Sequence, residues 1–106
     1  MAVKTFFCKL LPPRPTFAQD MSKAEAKLMQ EHSVYWRGWL EEGNVVAFGL
    51  VADPGGAYGM AIVEVADDSD ARRLTANDPV IRADRGFKYE MFPMPRGAVH
   101  SPTGAA

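Results

Sequence analysis

The sequence predicts an α+β domain whose elements follow in the order strand, helix, strand, strand, helix, strand. Three observations carry this reading. Apolar residues recur at helical spacing over residues 22–42, between a start signal and a stop signal. Two apolar stretches, residues 44–51 (NVVAFGLV) and 58–65 (YGMAIVEV), flank the turn-forming Asp53-Pro54-Gly55-Gly56. Stretches rich in β-formers stand near both ends of the chain. At 106 residues there is room for one domain, and 47% hydrophobic against 24% charged residues places it among globular chains.

Each element has a local cause. Residues 3–11 mix Val3, Phe6 and Phe7 with Lys4, Thr5 and Lys9, and this strand must stop at Pro12, Pro13 and Pro15. Residues 12–20 therefore read as a loop. Ser22 opens the long helix with Glu25 three residues on, the spacing of a capping box, and Gly43 suits its left-handed end. At about 100° per residue, Met21, Ala24, Leu28, Met29, Tyr35, Trp36, Trp39 and Leu40 share one arc, with His32 near its middle. Asp67, Asp68 and Asp70 load the start of a second helix with the favourable charge, and Pro79 ends it near Asn77. Residues 87–92 (FKYEMF) form the last strand. The domain is expected over residues 1–95, with 96–106 a small-residue tail expected to be mobile.

This order is the ferredoxin-like one, with an antiparallel sheet covered by both helices on one face. The two middle strands look apolar on both sides. Val46, Phe48 and Leu50 alternate with Val45, Ala47 and Val51, and Met60 and Ile62 with Ala61, Val63 and Val65. Two helices cover one face only, so the other calls for a partner. A second copy of the same sheet is the simplest one, which makes the chain an expected homodimer.

Composition excludes several classes. Twelve Lys and Arg against thirteen Asp and Glu give a net charge of −1, without the basic excess of a nucleic-acid binder. One cysteine, Cys8, allows no intrachain disulfide and no Cys-rich zinc motif. Lys4 and Lys9 interrupt the apolar start, so no signal peptide is expected. The longest apolar run, residues 45–52, is far short of the roughly 18 residues of a membrane helix. These features point to a cytoplasmic protein with no nucleic-acid or membrane partner.

Two residues could carry chemistry. In this topology His32, on the first helix, approaches Asp78, after the second, and an imidazole held by a carboxylate is a workable acid or base near neutral pH. A bland reading stands beside it: His32 as a hydrogen-bonded core residue, and Asp78-Pro79 as the cap and first position of a short helical turn. Tyr35, Trp36 and Trp39 could wall a pocket for an aromatic small-molecule ligand or simply fill the core, and Tyr58 could supply a hydroxyl. Arg72 and Arg73 read as a solvated face, and His100 as an exposed tail residue. Gly55-Gly56 precedes no helix and is a turn, not a phosphate loop. One internal His and one Asp fall short of the three ligands of a catalytic zinc, so no metal is expected.

The segments EHSVYWRGWLEEGNVVAFGLVADPGGAYGMAIVEV and ANDPVIRADRGFKYEMFPMP resemble the YCII-related (YciI-like) family, through His32, Gly43, Gly49 and Asp78-Pro79. The resemblance spans Phe6 to Pro95. It implies a ferredoxin-like fold, pairing into a dimeric α+β barrel, and a pocket that brings His32 and Asp78 together as catalytic residues. Leu50 departs from the family pattern, where a Pro often follows the strand glycine, and this bears on the pocket rim. The implied activity is a small cofactor-independent enzyme acting on a small, ring-shaped metabolite by isomerisation, elimination such as dehydrochlorination, or lactone chemistry. A non-catalytic small-molecule-binding dimer is the alternative, and a purely structural dimer a third.

Overall fold

The computed structural model describes residues 3–98. Strand β1 (Lys4–Leu11) leads through a short helix α1 (Phe17–Asp20) to the long helix α2 (Lys23–Glu42). Strands β2 (Val45–Val51) and β3 (Tyr58–Val65) form a hairpin. Helix α3 (Asp68–Ala76), the four-residue α4 (Pro79–Arg82) and strand β4 (Lys88–Pro93) complete the chain. The sheet order is β2-β3-β1-β4, with every neighbouring pair antiparallel. The domain is ferredoxin-like, as the sequence predicts.

The start and stop signals of α2 act as read. The Ser22 hydroxyl accepts from the Glu25 backbone N–H at 3.1 Å, and Glu25 returns a bond to the Ser22 N–H at 2.8 Å. Gly43 closes the helix at φ +93°, and its N–H reaches the Trp39 and Leu40 carbonyls. Asp53 closes the hairpin turn by accepting from the Gly55 N–H at 2.8 Å.

Two expectations need correction. Residues 12–20 are not wholly loop, because past Pro15 no proline blocks the backbone, and the Thr16 carbonyl accepts from Gln19 and Asp20 to wind α1. The facing of β2 also differs. A bulge between Val45 and Ala47 makes Val46 an extra residue, so Val45, not Val46, shares the helix side with Phe48 and Leu50. Alternation carried straight through a bulge inverts every residue before it.

The core lies between sheet and helices. Phe6 and Cys8 of β1, Val45 of β2 and Ala61, Val63 and Val65 of β3 pack against Trp36, Ala71 and Leu74. Trp36 is the one residue of α2 that is fully buried. Tyr35, Trp39 and Leu40 are half-buried and Ala24 is exposed, so the apolar arc is narrower in fact than in the sequence. On the opposite face of the sheet, Phe7 pairs with Ile62 and Phe92, and Lys9 with Met60 and Glu90. Among the described residues no helix or strand packs on this second face. Phe92 is 48% exposed there, stacked obliquely on Phe7 with ring centroids 6.2 Å apart.

Candidate functional site

Asp78 sits where α2, α4 and β4 converge, with none of its surface exposed. The residue before a proline is held extended, and at φ −61°, ψ 132° Asp78 serves as N-cap of α4. Its Oδ1 accepts from the Val80 N–H at 3.0 Å. Its Oδ2 accepts three further bonds, from His32 Nδ1 at 2.8 Å, Trp36 Nε1 at 2.8 Å and the Tyr89 hydroxyl at 2.5 Å. His32 and Trp36 are one helical turn apart on α2 and so reach the same atom. Asp78 caps α4 through one oxygen and holds His32 through the other.

A buried charge is tolerated when it is well hydrogen-bonded, and Asp78 accepts four bonds. Burial pushes the Asp78 carboxyl upward, but the bonds and charge from His32, then Tyr89 and Trp36, outweigh it and hold the group below its ordinary value. The Tyr89 phenol moves far the other way, because burial and the neighbouring Asp78 charge both resist its ionisation. An ionised carboxylate only accepts, so the neutral form of His32 carries its proton on Nδ1 and its lone pair on Nε2. Among the described residues Nε2 has no partner, and no unpartnered side-chain nitrogen or oxygen is buried. The accepting end of the imidazole is therefore open to solvent, and His32 retains 13% side-chain exposure.

His32 lines a cavity of about 290 Å³ between α2 and the end of the sheet. The floor is one cross-strand row, Leu10–Gly59–Leu50. Met29, His32 and Ser33 of α2 form a wall. Pro12, Phe17, Ala18 and Met21 form a roof, with Phe17 edge-on to Phe87 at 5.1 Å. Arg14 holds that roof to α2. Its guanidinium donates to both oxygens of Glu25, at 2.9 and 2.8 Å, and to Asp20 at 2.7 Å. The Arg14 bonds, with those from Ser22, pull the Glu25 carboxyl down to about 2.

The structure brings His32 and Asp78 together and places Tyr58 at the cavity edge, in register with the uncovered face of the sheet, where the Lys9 ammonium lies 4.5 Å from its ring centre. Trp36 is behind the pair, bonded to Asp78, and does not line the cavity. Tyr35 donates to the Leu74 carbonyl at 2.6 Å and borders a separate cleft with Trp39 and Arg82. Leu50, where the chain departs from the family pattern, is at the cavity rim and 70% exposed. Arg72 and Arg73 are exposed, with Arg73 paired to Asp70, and His100 lies outside the described residues. Among the described residues no three His, Cys, Asp or Glu side chains come together as metal ligands would. Sequence reasoning missed Tyr89 and Gly59. The alternation of Tyr89 with Met91 in FKYEMF hinted at an inward phenol, and nothing local marked Gly59.

The YCII-related domain matches residues 5–95 of the chain. No curated protein is similar enough in sequence to match. In shape, the chain is similar to an uncharacterised protein of Thermotoga maritima, with TM-score 0.51 and 9% identity over 88% of this chain and 99% of that one. It is also similar to a protein of unknown function from Nitrosomonas europaea, with TM-score 0.55 and 13% identity over 93% of this chain and 96% of the other. At such identities the likeness is one of fold.

Proposed function

From the chain's membership of the YCII-related domain family and the geometry of its site, we propose that it is a small acid–base enzyme acting on a small, ring-shaped metabolite. His32 Nε2 removes a proton from a substrate C–H or O–H in the cavity, and Asp78 steadies the imidazolium that forms. The same nitrogen then returns the proton to another atom of the substrate, giving isomerisation, or to a departing group, giving elimination. Lactone opening or closure needs the same transfer. One observation carries the reading: Nδ1 is tied to a buried, ionised carboxylate while Nε2 is free at the edge of a mostly apolar cavity. A histidine kept only for stability gains nothing from that asymmetry.

Two further parts belong to the proposal. The uncovered sheet face, with Phe7, Ile62 and Phe92, pairs with its counterpart in a second copy. The protein works in the cytoplasm, which suits its lone, fully buried thiol at Cys8.

A panel of hydroxylated, halogenated and lactone-bearing rings, read by thermal shift and then by product formation, tests the activity. The expected result is a ring that raises the melting temperature and is converted by the wild type but not by His32→Gln. Ligands that bind and return chemically unchanged at every pH would show a binding module instead.

A further inference from the structure

The lining of the His32 cavity contains no Lys, Arg, Asp or Glu side chain among the described residues. Its polar side chains are His32 and Ser33, and the rest is aliphatic, aromatic or thioether, with Tyr58 at the edge on the strand register of the opposite face. Arg14 and Glu25 pair with each other outside the lining, and the Lys9 ammonium lies over the Tyr58 ring on the opposite face of the sheet. A carboxylate or phosphate carried into such a space leaves water without a cation to meet it, which is strongly unfavourable. In its neutral form His32 does not fill that role, because it then presents a lone pair at Nε2, which repels an anionic oxygen and accepts from a hydroxyl, an amide N–H or an acidified C–H.

The size of the space has one identifiable cause. In β3, Gly59 stands on the helix side of the sheet between Leu10 and Leu50. A Cβ at this position would point off the floor and come within 3.2 Å of Leu10 Cβ. Its backbone φ lies outside the left-handed region, so glycine is not required there by conformation. What the missing side chain provides is room. At about 290 Å³ the cavity lies at the lower end of small-molecule sites, fitting a compact ligand of about a dozen non-hydrogen atoms. Met21 and Met29 supply adaptable contacts along its length.

We infer that the site takes an uncharged, compact, mostly apolar ring that offers one hydrogen-bond donor or acidic C–H to His32 Nε2, and that Gly59 sets its size limit. This rests on the reading of the cavity as the ligand site and narrows it by charge and size.

The test compares two probes of one shape and different charge, 2-naphthamide and 2-naphthoate, with the full chain at pH 8. The amide is expected to bind at least tenfold more tightly, with NMR shifts at His32 and Gly59. Gly59→Val should weaken it tenfold or more, and Gly59→Ala, the gentler variant if valine prevents folding, should weaken it in the same direction. Equal or tighter binding of the naphthoate overturns the inference, as does amide binding that shifts only residues of the uncovered sheet face, or no amide binding up to 1 mM. Amide affinity undiminished in a folded Gly59 variant removes the size limit. The two readings fail separately. A charged ring converted at His32 would sink the ligand class and leave the enzyme standing. Neutral rings that bind in the cavity and are never converted would do the reverse.

Discussion

His32 and Trp36, one turn apart on the same helix, donate to a single oxygen, Asp78 Oδ2, each at 2.8 Å. They do so from different environments. Trp36 is 1% exposed and belongs to the core, whereas His32 reaches the cavity. One donor anchors the carboxylate to the fold and the other carries its influence outward. With the Tyr89 hydroxyl on the same oxygen, Asp78 is held as an anion that orients the imidazole.

Tyr89→Phe tests that arrangement. The ring still packs edge-on against Trp36, with centroids 6.2 Å apart in the parent, but Oδ2 loses one donor. A hydrogen bond to a charged group is worth about 1.5–3 kcal/mol, so the variant should lose stability of that order in urea denaturation at pH 7. With one fewer donor favouring the anion, the Asp78 carboxyl should titrate at higher pH than in the parent. An unchanged urea midpoint would mean the phenol contributes nothing to the carboxylate.

Acid should weaken the fold in a defined window. The folded-state carboxyl of Asp78 lies below its ordinary value of 3.8, and Glu25 titrates at about 2 against an ordinary 4.5. Groups depressed by folding contribute stability that is complete above their unfolded values and vanishes as pH falls through the folded ones. The urea midpoint should therefore stay level from pH 7 to about 5.5, decline from about pH 4.5 and continue down toward 2. In Glu25→Gln the upper part of that decline should flatten. A midpoint that begins to fall near pH 6 would point to a different group.

The uncovered sheet face predicts a dimer. Sedimentation at micromolar concentration should give twice the 11.6 kDa of the chain. Ile62 opposes Phe7 near the middle of that face, so Ile62→Glu should separate the copies and lower the melting temperature together, because the face would then meet water. Val45→Glu is the contrast: Val45 is 4% exposed in the protomer's own core, and this change should unfold the chain outright. A parent protein that sediments as a monomer removes the pairing.

Much of this was legible in the sequence wherever cause and effect are neighbours in the chain. Ser22 and Glu25, Gly43, and Asp78-Pro79 each act within a few residues, and strand β3 runs over the residues its alternation marks. The bulge at Val46 was hidden because it depends on how β2 meets β3, and it reversed the facing assigned to Val45. The cavity was hidden for a similar reason. Its roof comes from residues 12–21, its floor from three strands and its catalytic candidate from α2, so no window of sequence contains it. Tyr89 bonds a residue eleven positions away across the core, a convergence that periodicity does not record.

Asp78→Asn separates orientation from chemistry, with a structural penalty that can be stated beforehand. The carboxylate accepts at both oxygens, from Val80 at Oδ1 and from three donors at Oδ2. An amide has one acceptor oxygen, so its NH2 group must face either the Val80 N–H or the three donors. The first choice is the milder, leaving one buried donor unmet at about 1–3 kcal/mol, and the variant should remain folded at 25 °C with that loss. In this orientation His32 keeps its bond through Nδ1, and ligand affinity should stay within a few-fold of the parent. Turnover of any substrate found should nevertheless fall about 10²- to 10⁴-fold, since a neutral amide does not stabilise the imidazolium as the proton arrives. Measuring Kd and kcat on the same preparation checks both halves. Turnover that survives intact would show that Asp78 only holds the fold, and affinity that collapses with turnover would show that the pair binds ligand rather than moving a proton.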